Sequence, residues 1–166
     1  MKPAVIICSN VAICVSTAKL LAQNWKEWRS EQRPWTAPGK EFSFTDNDLQ
    51  SVAECGVAFY HAGVSPAETA QVESMFLDGD LGVICCTPMS AVGINLQVNL
   101  VIIKSTTNYW TDSGAKEYMD LEISQMIGRA GHLQSGNTGV AIIMTTRARA
   151  QHYNNMFLGE EARESR

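Results

Sequence analysis

No Gly-x-x-x-x-Gly-Lys-Ser/Thr sequence occurs in this chain, and no paired-acid box follows a strand-like run to hold magnesium. The chain therefore cannot cradle the phosphates of ATP by itself. No Gly-x-Gly-x-x-Gly loop follows an apolar run either, which argues against a dinucleotide-binding domain. Long hydrophobic runs are missing, so no stretch is long enough to span a membrane, and Met1-Lys2-Pro3 followed only by Ala4 to Cys8 is too short for a secretory signal. The five cysteines, Cys8, Cys14, Cys55, Cys85 and Cys86, show no metal-ligand spacing, so no metal site is expected. An ordinary disulfide within the adjacent Cys85-Cys86 pair is geometrically awkward, and a reducing, intracellular setting fits best. Positive charge is in deficit, with 13 Lys and Arg against 17 Asp and Glu for a net charge of −4. That argues against strong nonspecific attraction of nucleic acid to the whole surface, and any such contact must be a local patch.

What is present suits one domain with a real core: 166 residues, 45% hydrophobic and 18% charged, without internal repeats or low-complexity tracts. Five continuous apolar runs, Ala4 to Cys8, Gly56 to Tyr60, Gly82 to Cys86, Leu100 to Lys104 and Gly139 to Met144, read as strands buried on both faces. Between them lie helical patterns. Val15, Ala18, Leu21, Ala22, Trp25 and Trp28 form one apolar stripe, which places both tryptophans in the core. Ser65-Pro66-Ala67-Glu68 supplies a cap, a first-position proline and a capping-box glutamate for a helix closing near Asp78-Gly79. Further helices are predicted over 120–131 and from about Arg147 to Leu158. Alternating strands and helices imply right-handed crossovers and a mostly parallel sheet of five to six strands, an α/β three-layer sandwich. Gln32 to Thr45, with Pro34, Pro38 and Gly39, reads as a surface loop, and Ser105 to Met119 as a second irregular region. The domain is expected to cover residues 1–160, leaving 161–166 as a frayed tail.

Ligands of such sheets bind beyond the carboxyl ends of the strands. There the chain places Ser9-Asn10, His61-Ala62-Gly63 and the run Thr87 to Leu96, small and hydroxyl-bearing loops that together favour a phosphate-rich partner. The run Asp120 to His132 adds more, with Asp120 as an N-cap, Glu122 in the positive first turn, and Leu121, Ile123, Met126 and Ile127 for the buried side. Gln125 and Arg129, four apart, point the same way, and Gly128 and Gly131 allow close approach of a ligand. Arginine offers phosphate a planar, always-charged fork. Weaker candidates are Trp35, Tyr109 and Trp110 as aromatic platforms, and His152 and Tyr153 beside Arg147 and Arg149, for which a solvated helix face is the simpler reading.

Several of these words together resemble the second RecA-like domain of superfamily-two helicases of the Ski-like group. They are Gly56 to Gly63, Thr87 to Leu96, Val101 to Lys104, Glu117-Tyr118, Gln125 to Gly131 and Ala141 to Thr145. The loop Arg33 to Lys40, with Glu117 to Ile123, is most similar to the fungal versions of the meiotic crossover helicase family, and the likeness runs from Lys2 to about Glu161. The resemblance implies a P-loop NTPase fold lacking its P-loop, acting as the C-terminal half of an ATP-dependent 3′–5′ DNA helicase in the nucleus. ATP and Mg2+ would bind only together with an upstream RecA-like domain, and neither to this chain alone. By the same resemblance Gly93 and Asn95 lie near the nucleotide, Gln125 and Arg129 face its phosphates, and His61, Gly63 and Thr87 touch the backbone of single-stranded DNA. The chain would act as a monomer, with no membrane partner.

At three positions where the family pattern usually carries arginine, this chain has Val11, Thr69 and His132. His132 belongs to the catalytic set with Gln125 and Arg129, and a second arginine there can contribute roughly 10³–10⁵-fold in rate. Ser90 and Gln97 stand where leucine and proline are usual, and Leu133 replaces another proline. Two further readings therefore accompany the helicase half: a decayed or regulatory module that binds a partner or nucleic acid weakly without hydrolysing ATP, and an RNA helicase half of the same group.

Overall fold

The computed structural model describes residues 3–93, 98–110, 114–128 and 139–164. Five short strands, β1 (Ala4–Ile7), β2 (Val57–Tyr60), β3 (Val83–Cys86), β4 (Leu100–Ile103) and β7 (Val140–Ile143), form one parallel sheet in the order β2-β3-β1-β4-β7. They fall inside the five apolar runs, trimmed by a residue at one or both ends. The helices are α1 (Val11–Glu27), α2 (Asn47–Ala53), α3 (Pro66–Leu77), α4 (Pro88–Gly93), α5 (Asp120–Ile127) and α6 (Arg147–Glu164). With right-handed crossovers, the step from β1 leftward to β2 puts α1 and α2 on one face, and the rightward steps put α3, α4 and α5 on the other. Packing agrees: α1 meets α2, and α4 meets α5. The result is the predicted three-layer α/β sandwich.

The expectation of burial on both faces holds for β3, whose four residues are all buried. It fails for β7. That strand lies at the sheet edge with β4 as its paired neighbour, so Val140 and Ile142 stay exposed. Trp25 is buried, but Trp28 is 41% exposed, because α1 ends at Glu27 and Trp28 is its extended C-cap. The Gln32 to Thr45 segment is a loop, yet its Trp35 is core rather than a stacking platform. The Trp35 indole donates to the Cys55 carbonyl at 2.6 Å, and its own carbonyl accepts from Trp25 Nε1 at 2.9 Å.

The helix starts follow local chemistry. Asn10 caps α1 by accepting from the Ile13 N–H, Asp46 caps α2 through Leu49, and Ser65 caps α3 with Pro66 at its first position. At α5 the expected Asp120 cap is displaced by one residue. Met119 is the extended cap and the Glu122 carboxylate accepts its N–H at 2.7 Å, while the Asp120 carboxylate turns instead to His152. The region Ser105 to Met119 is not irregular either. It holds a two-stranded antiparallel hairpin, β5 (Thr107–Trp110) and β6 (Gly114–Glu117), in which Gly114 adopts a φ of +80°. The backbones of Tyr109 and Trp110 thus lie in a strand rather than a loop.

Candidate nucleotide and nucleic-acid edge

All five sheet strands run the same way, so their carboxyl ends share one edge. Ser9-Asn10, His61 to Gly63, Thr87 and Lys104 are brought there from β1, β2, β3 and β4. Crossovers leave β1 and its neighbours by opposite faces, which opens crevices beside β1, the usual location of a ligand in such a sheet.

Two of the predicted residues line one groove of about 410 Å³: His61 from the loop after β2, and Gly93 from the end of α4. The His61 ring lies parallel to Phe59 with centroids 5.5 Å apart, and its Nδ1 accepts from the Gly63 N–H at 3.0 Å. That bond leaves the ring proton on Nε2, available as a donor. Burial lowers the His61 pKa, with Asp46 opposing the shift less strongly, so the ring is neutral at pH 7. A Cβ on Gly63 would come within 2.9 Å of His61 Cε1, so glycine there is what permits this ring position. Gly93 differs. No described atom lies within 4 Å of a Cβ built on it, so the fold's own packing does not require glycine there. Thr87 does not line the groove itself; its hydroxyl donates at 3.1 Å to Oγ of Ser90, which does, and its carbonyl accepts the Ala91 N–H at 2.9 Å.

Gln125 sits exposed on α5, the helix that packs against α4, while Ile123 and Met126 fill the buried side as the periodicity predicts. Asn95, Arg129 and His132 lie outside the described residues. The side chains of Tyr109 and Trp110 do as well.

Two features of this edge escape a reading from sequence. Lys104, which closes an apolar run, donates from Nζ to Thr17 Oγ1 of α1 at 2.7 Å and lines a second cavity of about 590 Å³ with Ser105, Thr107, Thr145 and Thr146. The only signal was a lone cation ending a strand. The second feature is a clasp between α6 and the start of α5. Tyr153, 3% exposed, donates to Glu117 at 3.2 Å; Arg149 lies 3.5 Å from the same carboxylate; and His152 Nε2 meets Asp120 at 2.7 Å. The predicted solvated face of α6 is thus packed at Tyr153, while the side chains of Arg149 and His152 keep 35% and 37% exposure beside their carboxylates.

All five cysteines are buried free thiols, and burial pushes the Cys86 thiol up. Among the described residues, no cluster of His, Cys, Asp or Glu gathers to hold a metal ion, and no helix is long and apolar enough to cross a membrane.

Residues 37–134 match the family described as the helicase conserved C-terminal domain. The chain is 40% identical over 164 residues to "ATP-dependent DNA helicase MER3" of Saccharomyces cerevisiae, covering 99% of this chain and 13% of that protein. It is 35% identical over 164 residues to "Probable ATP-dependent DNA helicase HFM1" of Xenopus tropicalis, covering 99% and 12%. It is also 36% identical over 125 residues to "RQC trigger complex helicase SLH1" of Saccharomyces cerevisiae, covering 73% and 6%. The chain thus spans about an eighth of the length of the first two.

Proposed function

The chain belongs to the helicase C-terminal domain family, as a RecA-like domain of the Ski-like superfamily-two branch, and from that premise we propose that it is the C-terminal half of an ATP-dependent 3′–5′ DNA helicase. It supplies one wall of the ATP cleft and part of the single-strand track. One observation supports the reading: His61 and Gly93 line one groove, Thr87 bonds Ser90 of its wall, and α5, which bears Gln125, packs on α4, in a chain with no phosphate loop of its own. The other wall is an upstream RecA-like domain.

ATP fits such a shared wall. No described atom lies within 4 Å of a Cβ at Gly93, which leaves room for a nucleotide to approach the backbone, and Gln125 is exposed on the helix that packs against α4. Gly93 and Asn95 border the nucleotide, and Gln125 and Arg129 face its phosphates, where Arg129 stabilises charge on the transferring group. Among the described residues no group of three or more His, Cys, Asp or Glu gathers to hold a metal ion, and this reading assigns Mg2+ to the upstream domain. Thr87 and the loop His61 to Gly63 grip the sugar-phosphate backbone without reading sequence. Opening and closing of the cleft then moves the two domains along one strand, in the nucleus and in the meiotic setting of the family that the chain resembles. Functionally the chain acts as a monomer.

The purified 166-residue chain is expected to show no ATPase activity, and joined to a competent first domain it should show DNA-stimulated hydrolysis. Arg129→Lys in the joined protein should lose roughly 10³-fold or more in kcat. Hydrolysis by the isolated chain, or an unaffected Arg129→Lys, would overturn the proposal. His132 favours a second reading, a decayed module that binds without hydrolysis. Under that reading the joined protein is inactive and His132→Arg restores turnover.

A further inference from the structure

Lys104 follows β4 as a half-buried cation for which the described fold supplies no carboxylate. Its ammonium donates to the neutral Thr17 hydroxyl at 2.7 Å, and no Asp or Glu oxygen of the described residues comes within 4 Å of it. An ammonium drawn out of water is costly unless an anion pairs with it. Lysine carries three donors, so two remain after Thr17. The cavity of about 590 Å³ that Lys104 lines, at the ends of β4 and β7, has no acidic residue in its described wall. An anion can enter it without meeting like charge.

The rest of that wall is rich in hydroxyls. Thr106, 2% exposed, and Thr145 bond each other at 2.7 Å and tie the segment after β4 to the segment after β7. The Ser105 and Thr107 hydroxyls lie 3.0 Å apart and either can donate to the other, so the second proton is able to turn outward. Thr146 makes no hydrogen bond through its hydroxyl among the described residues. It also opens α6, its carbonyl accepting the Arg149 and Ala150 N–H groups, and Ala150 lines the cavity, so the positive end of that helix lies at the wall. A point-charge ammonium with hydroxyl donors around it suits the tetrahedral oxygens of a phosphate, whereas a planar carboxylate is matched better by a guanidinium fork. Position agrees with a phosphate-bearing partner. Because β1 separates β3 from β4, Lys104 stands two strand spacings, about 10 Å, from Thr87 along the same carboxyl edge.

We propose that the cavity at the ends of β4 and β7 holds one phosphate group, with Lys104 as its counter-charge and the hydroxyls of Ser105, Thr107 and Thr146 as its donors. The phosphate is a phosphodiester of a strand crossing this edge or belongs to a free phosphate compound; only the first source rests on the reading of the chain as a helicase half. The test measures binding of a labelled oligothymidine to the full chain by fluorescence anisotropy over a range of salt, and the melting temperature with inorganic pyrophosphate. If a strand supplies the phosphate, Lys104→Gln should flatten the salt dependence by about 0.7 in log Kd per log salt, one lost phosphate contact. Thr17→Val removes the hydroxyl partner of the lysine but keeps its charge, and should leave that slope unchanged. A lysine that served only to hold α1 would respond alike to both changes. If a free phosphate compound is the source, pyrophosphate should raise the melting temperature of the natural chain but not of Lys104→Gln, with equal oligothymidine slopes. Equal slopes and no melting response overturn the phosphate site and leave the helicase reading standing. Failure of the natural chain to bind oligothymidine counts against the helicase reading, and the melting response to pyrophosphate then decides the site alone.

Discussion

Gly56→Ala should be among the most damaging single-methyl additions in this protein, and Gly79→Ala is its natural control. Both glycines have left-handed backbones, with φ of +73° and +84°, where an L-residue costs about 1–2 kcal/mol. Alanine recovers about 0.4–1 kcal/mol by restricting the unfolded chain, so Gly79→Ala, with no described atom within 4 Å of the new Cβ, should lose only about 1 kcal/mol. At Gly56 the added Cβ would lie 2.6 Å from Trp35 Cδ1, 2.9 Å from Trp35 Nε1 and 3.0 Å from the Thr36 carbonyl oxygen. Trp35 cannot yield cheaply. Its indole is 9% exposed and donates to the Cys55 carbonyl, and its backbone carbonyl holds Trp25. Overpacking of that kind adds about 1–3 kcal/mol and a strained hydrogen bond about 1 kcal/mol more, for a total near 3–5 kcal/mol. Urea unfolding followed by tryptophan fluorescence, with both variants also made in a Trp35→Leu background, separates the steric part from the backbone part. If Gly56→Ala costs no more than Gly79→Ala, or if Trp35→Leu fails to reduce the difference, the indole is not what demands glycine.

Two other outcomes follow from buried polar groups. Tyr118 is buried, its phenol pushed up to about 12 by burial, and among the described residues its hydroxyl has no hydrogen-bond partner; Tyr118→Phe should hold stability or raise it by up to about 1 kcal/mol. A loss larger than that in urea unfolding would show that the hydroxyl is satisfied. His61, lowered by burial in the folded state, should titrate below the ordinary histidine range in a proton NMR titration. Its contribution is fully present above the unfolded pKa and is lost as pH falls toward the folded one, so the unfolding midpoint should drop more steeply with acidification in the natural chain than in His61→Gln. Equal slopes would remove His61 from the acid response.

The strands and long helices were legible because their signals are local. Valine and isoleucine runs, and the Ser65-Pro66 start of α3, state their conformation within a few residues. What escaped depends on partners distant in sequence. Trp35 is buried because Cys55, twenty positions later, accepts its N–H. Tyr153 looks like a surface residue until Glu117 is brought beside it. The seven residues of α2, capped by Asp46, are too few for a clear period. In the hairpin, β5 and β6 pair with each other over four residues each, too short for alternation to show. Of the candidate residues, His61, Gly63 and Thr87 follow β2 and β3 at the edge that strand order predicts, because a parallel sheet fixes where its loops must emerge, and Gly93 shares a groove with His61; strand order does not fix the place of Gln125, inside α5.

The clasp that joins α6 to α5 also has a mechanical meaning. Beyond His152 the helix continues to Glu164, about 18 Å of stiff rod at 1.5 Å per residue. Asp120 and Glu117 fasten the near end of that rod to the root of the helix bearing Gln125. A sideways movement of about 2 Å at Glu164 therefore corresponds to a tilt of about 6° at the fastening, by the same helical rise. The far end of α6 is thereby tied to the first turn of α5, five residues before Gln125.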